Sequence, residues 1–423
     1  MSEMKSTRQV LIKAASLFIV FSFLLPVIKV GGVGFKPDLI ALVLVTPFLL
    51  LTRKIHRFKI TKRFKFIAIL LLFTMAVSNN FGAYRWGPSN YSFLFPTEYL
   101  QIFSRVGVFF LFIYVGNFQV VTERYFIKFL SVVFLIGLIW GTAQFLGIGF
   151  VNKISVDFYA LTGKQQVGFE RANVRGFGTA GNIITWGGLC CIIFYFYYFL
   201  CDYSRVLKVS GCLLSIANIA FSASRASMIA LLLSFLLVFL LKIILERNFV
   251  KTLRTITSVV IGITVLYLIA IQIIPDRISY IESRFTYAER DMTEEGRGRQ
   301  IAFFFHLFSQ DSNNFLFGIG KPVLNDIDYL EVEPAFLFIA YGVVGVLLHY
   351  LLVYYYYRTV WETKEISKSR FLFLFSIMTA MLIFSLGFFF FREPYSGMLF
   401  WSLAGYFLGC SMREQTTMLS FKK

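Results

Sequence analysis

Between Pro275 and Glu333 the chain reads ISYIESRFTYAERDMTEEGRGRQ (278–300) and then NNFLFGIGKP (313–322), the longest polar interval in a sequence otherwise made of apolar runs. Apolar segments flank it on both sides, so it reads as a charged head over a hydrophobic body. Apolar runs of roughly 17 to 25 residues mark membrane spans. Working outward from the polar interval, about twelve are expected, several of them short: 11–28, 37–51, 66–78, 99–117, 126–147, 182–200, 206–222, 226–245, 255–274, 334–357, 371–391 and 397–411. The expected fold is an all-α integral membrane protein. Nine spans with short loops (1–274) precede the large loop with short helices (275–333), and three spans with a tail (334–423) follow it.

Composition sets the same class. Charged residues make up 15% of the chain and hydrophobic ones 57%, with a mean hydropathy of +0.71, against about 25% charged in a soluble domain. The five cysteines, Cys190, Cys191, Cys201, Cys212 and Cys410, lie in or beside apolar runs without metal-ligand spacing and read as buried thiols. Lys5, Arg8 and Lys13 ahead of the first run resemble a signal peptide, but no convincing cleavage site follows, so a retained first span is expected.

The net charge of +18 would suit a nucleic-acid partner, yet its sidedness accounts for it. Alternate loops sort the basic residues into one set of 25 Lys/Arg with 7 Asp/Glu, and another of 16 with 16. Basic residues gather in cytoplasmic loops. The first set, both termini and RKIHRFKITKRFK (53–65) included, is therefore expected inside, and 275–333 outside. The outer set holds 11 Arg and 5 Lys, the inner 11 Arg and 14 Lys. Arginine's rigid fork of donors matches phosphate, so the outer bias reads either as a phosphate-holding surface or as the scatter of small numbers.

Three outer segments and one position just inside a span carry candidate residues. NNFGAYRWGPSNYSFLFPTEY (79–99) sets Tyr84 and Trp86 beside Arg85, as a sugar-stacking surface or an interfacial aromatic belt. Arg105 falls just inside the next span, where an unpaired cation costs several kcal/mol; it is a functional residue or it snorkels toward Glu98. FERANVRGFGTAGN (169–182) joins Arg171 and Arg175 to three glycines, which let backbone approach a ligand closely. FSASR (221–225) puts Arg225 at the outer end of a tight hairpin that needs only small polar residues to turn.

Taken together, these segments resemble the bacterial O-antigen polymerases and ligases. Arg175-Gly-Phe-Gly-Thr179 is similar to an R-x-x-G-T segment ahead of a span in that family, and Ser222-Ala-Ser-Arg225 to its S-x-S-R. GRGRQIAFFFHLF (296–308) with FGIG (317–320) resembles an Arg, a short amphipathic helix and an aromatic-Gly-x-Gly. Tyr341-Gly-Val-Val-Gly345 matches y-G-x-x-G. The topology is similar over most of the chain, with tight local matches from about Arg171 to Leu352.

The resemblance implies a metal-independent, inverting glycosyltransferase of the C-type superfamily in the bacterial inner membrane. It would take a glycan from an undecaprenyl-diphosphate-linked oligosaccharide donor to a lipid-linked acceptor, or, in a ligase, to lipid A core. Whether a polysaccharide chain-length regulator binds stays open. A departing diphosphate calls for preorganised cations, for which Arg175, Arg225 and Arg299 lead, with Arg297, Arg392 and Arg105 behind them. The attacking hydroxyl calls for a base. Family ligases carry a His about eleven residues before the Gly of y-G, and here that position is Glu331, with Glu333 as the alternative. DIDYLEVE could equally be a solvated acidic loop. His56 and His349 are expected toward the cytoplasm and His306 in packing. No cofactor is expected, nor a metal; Asp326 and Asp328 form a D-x-D of the kind used on cytosolic nucleotide sugars.

Twelve spans would also suit a transporter or lipid-glycan flippase. A major-facilitator protein would carry a Gly/Asp/Arg motif after span two and a long central loop, and neither is present. A transporter calls for charge along a central path and internal repeats, whereas here Arg105 and Lys208 are nearly the only charges inside expected spans and no repeat is visible.

Overall fold

The computed structural model describes residues 2–26, 28–30, 33–35, 37–50, 59–86, 95–159, 175–246, 312–320, 331–390 and 394–421, with scattered positions between 257 and 309. Among them the regular structure is helical apart from one small antiparallel ladder, β1 (Ile28–Val30) with β2 (Val33–Phe35), in which Lys29 faces Gly34. The helices are α1 (Ser2–Phe21), α2 (Pro37–Leu50), α3 (Lys59–Trp86), α4 (Phe95–Asn117), α5 (Glu123–Leu146), α6 (Gly149–Ile154), α7 (Ile183–Leu200) and α8 (Arg205–Phe221). They continue as α9 (Arg225–Glu246), α10 (Asn313–Phe317), α11 (Glu333–Glu362), α12 (Lys368–Ser385) and α13 (Pro394–Phe421).

Among the described residues, six stretches are long and apolar enough to cross a membrane: Lys62–Tyr84, Glu123–Leu146, Ile183–Leu200, Arg225–Leu245, Glu333–Glu362 and Lys368–Ser385. Pro37–Thr46 and Ile102–Asn117 are apolar but shorter. Eleven of the expected intervals carry helix in whole or part; 255–274 lies largely outside the described residues.

Helix ends follow local chemistry. Asn182 Oδ1 accepts from the amides of Ile184 (2.9 Å) and Thr185 (3.4 Å) and opens α7. The left-handed Gly147 (φ 78°) closes α5. Within the bundle α7 is the central helix, 83% of its apolar window being buried, whereas α9 is peripheral at 17%. Its core hydroxyls are tied to neighbouring helices: Tyr197 donates to Ser131 O (2.6 Å), and Tyr195 shares a bond with Ser234 (2.6 Å).

Lipid tails give helices no hydrophobic reason to associate, so close packing of small residues has to do it. A Cβ on Gly405 of α13 would lie 2.5 Å from Phe109 O of α4, and one on Gly409 would meet Ile113 O. This G-x-x-x-G lets the two backbones touch.

Lys208 sits in the first turn of α8 and donates to Asp202 at 2.5 Å. His349 lies near the middle of the thirty-residue α11 and lines a cleft with Arg105. At the end opposite the candidate site, Nη2 of buried Arg370 donates to both carboxylate oxygens of Glu414 (2.6 and 2.7 Å) and Arg370 lies 3.4 Å from Glu123, joining α12, α13 and α5.

Candidate functional site

One end of the bundle gathers the C-terminal ends of α3, α5, α8 and α12 and the N-terminal ends of α7, α9 and α11, and irregular backbone enters it. One entry is the loop 175–182. Its glycine-rich backbone is held by Gln144, a fully buried side chain near the end of α5. The Gln144 oxygen accepts from the amides of Phe177 (3.1 Å) and Gly178 (2.8 Å), while its nitrogen donates to Gly178 O (2.9 Å) and Ser155 Oγ (2.7 Å). Asn218 of α8 does similar work a turn deeper, accepting from the Trp186 indole (3.1 Å) and donating to Leu138 O, Thr142 Oγ1 and Leu214 O.

Arg175 then reaches across to the turn between α8 and α9. Its Nε donates to Ser222 O and its Nη2 to Ala223 O, both at 2.9 Å, and the Gly176 amide donates to Phe221 O at 3.1 Å. These carbonyls are the negative end of α8, so the guanidinium meets both the orphan acceptors and the helix dipole. The turn needs such a clasp, because Ala223 is held at φ 46°, a left-handed conformation that disfavours a side chain. The serines of the turn serve its own geometry: Ser222 donates to Ile219 O (2.7 Å), and Ser227 donates to Ser224 Oγ (2.9 Å). Arg225, half-buried, opens α9 directly after it.

Another entry is the segment 317–320. Gly318 (φ 74°) crosses α11 at Gly342 (φ 62°), where that helix breaks its regular path. A Cβ on Gly342 would strike Leu316 O, and one on Gly318 would strike the Ala340 carbonyl. Only glycine allows the two backbones this close. The crossing is sealed by Ile319 N to Ile339 O and Gly320 N to Ala340 O, both 2.9 Å, and by the Ser78 hydroxyl of α3 donating to Phe317 O.

Glu333 ties this region to the end of α12. Its Oε2 accepts the Phe390 amide at 3.0 Å, and the residue is 1% exposed. Nearby, a Cβ on Gly387 would lie 2.8 Å from that of Ala226, so the α12 terminus also abuts the first turn of α9. A continuous chain of contacts therefore runs from loop 175–182 through the 222–224 turn and α9 to the α12 terminus and Glu333.

Among the sequence-predicted residues, Arg175 and Arg225 come together on this seam. Glu331 is half-exposed at the entry to α11, whereas Glu333 is inside and holds backbone. Arg105 is buried and separate, lining a different cleft. Tyr84 is 91% exposed near the end of α3. Arg171, Arg297, Arg299 and Arg392 lie outside the described residues, as do Asp326 and Asp328, and the Trp86 side chain is likewise not described. The sequence reading missed Gln144 and Asn218; the signal available was a lone amide inside each apolar run.

No protein-family model matches the chain, and no curated protein matches it significantly.

Proposed function

We propose that this protein is a surface-polysaccharide polymerase of the O-antigen polymerase and ligase type. It is a C-type glycosyltransferase of about twelve spans with both termini in the cytoplasm of a bacterium, working at the outer face of the inner membrane. The observation that carries this reading is the meeting, at one end of the bundle, of segments that resembled the family separately. Arg175 clasps the Ser222-Ala-Ser-Arg225 turn, and Phe317-Gly-Ile-Gly320 crosses Tyr341-Gly342.

The donor is a glycan on undecaprenyl diphosphate and the acceptor is the sugar end of a second lipid-linked repeat unit. The acceptor hydroxyl attacks the anomeric carbon from the face opposite the diphosphate. As the new glycosidic bond forms, the old carbon–oxygen bond breaks, undecaprenyl diphosphate leaves, and Glu331 takes the hydroxyl proton. Arg225, at the positive end of α9, meets the charge that develops on the leaving diphosphate, joined by Arg297, Arg299 and Arg392. Arg175 acts through the turn that it holds, and Glu333 fixes the start of α11 rather than taking a proton.

The test is purified protein in lipid, supplied only with an undecaprenyl-diphosphate-linked repeat unit, with products resolved by size. A ladder of longer lipid-linked glycans is expected, lost in Glu331→Gln and Arg225→Gln. Transfer that appears only on adding lipid A core identifies a ligase instead. Neither product, with the cognate repeat unit verified, removes the proposal.

A further inference from the structure

The end of the bundle opposite the candidate site presents a row of cations and rings. Lys13 of α1 lies over the Tyr125 ring of α5, 5.6 Å from its centroid. Lys128 of α5 lies over the Tyr203 ring, in the connection from α7 to α8, at 5.9 Å. Both distances are within cation–π reach. Tyr125 and Lys128 stand three residues apart and share a helix face, so the row runs on across three elements as Lys13, Tyr125, Lys128 and Tyr203. All four residues are exposed. The carboxylates beside them in sequence are engaged elsewhere, Glu123 with Arg370 and Asp202 with Lys208.

The same face of α5 turns apolar further along. Val132, Ile136 and Ile139 follow Lys128 at steps of four, four and three residues, and each is exposed. α1 runs beside α5 in the same direction: Lys13 meets Tyr125 at one level, and Phe23 meets Phe134 (ring centroids 5.7 Å) at a deeper one. Depth decides what this face touches. Lys128 is five residues past the start of α5, about 8 Å in at ~1.5 Å per residue, the depth of a headgroup layer, whereas Ile136 and Ile139 lie among acyl chains. A soluble anion would use the cations and leave the apolar stripe; a bilayer lipid uses both.

We propose that this face binds an anionic phospholipid of the adjoining leaflet. Its phosphate sits between Lys13 and Lys128, the Tyr125 and Tyr203 rings hold the two ammoniums in register, and one acyl chain lies along Val132, Ile136 and Ile139. A zwitterionic lipid brings an ammonium of its own against the lysines, which sets the preference. Orientation in the membrane is served by positive charge anywhere at this end, whereas a lipid site needs these two cations on this face. Nothing in it depends on the transferase reading, because binding is read without turnover.

The experiment uses the full chain in dodecyl maltoside micelles with two photoactivatable lipids, phosphatidylglycerol and phosphatidylcholine, carrying the same diazirine-bearing acyl chain. Adducts are mapped by peptide mass spectrometry. Phosphatidylglycerol is expected to label the α5 stretch 129–139 about tenfold more than phosphatidylcholine, the excess that two cations near a lipid surface supply. Lys13→Gln and Lys128→Gln each cut that excess about threefold, and the double variant abolishes it. Lys128→Arg keeps the charge and retains the excess, which separates lost binding from lost fold. Arg413→Gln removes an exposed cation from α13 at the same end and leaves labelling unchanged. Millimolar glycerol phosphate, a headgroup without chains, does not displace the lipid. Equal labelling by the two lipids, an excess that survives the double variant, an equal fall in Arg413→Gln, or displacement by glycerol phosphate overturns the proposal.

Discussion

Replacing Arg175 with Ala removes the clasp on the α8–α9 turn. Two hydrogen bonds of 2.9 Å from a charged donor are lost, to Ser222 O and Ala223 O. Such bonds contribute about 1.5–3 kcal/mol each when well formed, and Arg175 is only half-buried. The pair is therefore worth about 2–4 kcal/mol of local stability, equivalent to about 30- to 700-fold faster local opening. Hydrogen–deuterium exchange in nanodiscs reads this directly, at the amides of Gly176, Ser224 and Ser227, each bonded within the turn or to it. Arg175→Lys, which can reach one carbonyl but not bridge two, falls between wild type and Arg175→Ala. The first turn of α12, around Arg370 at the opposite end of the bundle, stays unchanged. Exchange at the turn that is unaltered in Arg175→Ala, or raised equally throughout the bundle, refutes the clasp.

Other predictions separate structure from chemistry. Glu331→Gln abolishes turnover while leaving thermal unfolding at its wild-type midpoint, whereas Glu333→Gln weakens the bond to the Phe390 amide and lowers stability by about 1–2 kcal/mol; a matched pair of melting and activity curves that reverses this order removes the assignment. Gly342→Ala forces a Cβ against Leu316 O at a positive φ, costs more than about 3 kcal/mol, and yields little monodisperse protein by size exclusion; normal yield would mean that the crossing is not close-packed. Arg370→Ala leaves Glu123 and Glu414 facing each other without their cation. Glu414 is 41% exposed, so the usual penalty for breaking a buried pair falls to about 1–3 kcal/mol, seen as a lower melting midpoint that Glu414→Gln partly restores in the double variant.

The class of fold was legible from hydropathy, because spans need length and apolarity and little else. The seam was legible only as separate pieces. Arg175 and Ser222 stand 47 positions apart, and no periodicity links them; their meeting depends on α5, α7 and α8 packing around Gln144 and Asn218. Those two amides were passed over because charge, not neutral polarity, guided the search through the apolar runs. The different burial of Glu331 and Glu333 was equally beyond the sequence. Two acidic residues on either side of Val332 share a composition, and only the fold turns one into α11 to receive the Phe390 amide.

Irregular backbone gives a reason for attention to this end of the bundle that does not depend on any resemblance. Inside a bilayer each peptide group must be bonded within the protein, and departures from helix persist only where protein or a cavity encloses them. The departures at 175–182 and 317–320 meet that condition through dedicated partners: Gln144 and Phe221 O for the first, Ile339 O, Ala340 O and Ser78 for the second. Two strained or glycine-dependent positions, Ala223 and Gly342, are kept at some cost. The middle of the bundle is the opposite case, since α7 fills it with Trp186, Tyr195 and Tyr197, fully buried, and both tyrosine hydroxyls are bonded to other helices. Among the described residues, a filled body and a strained, polar end are what the proposed surface transferase requires.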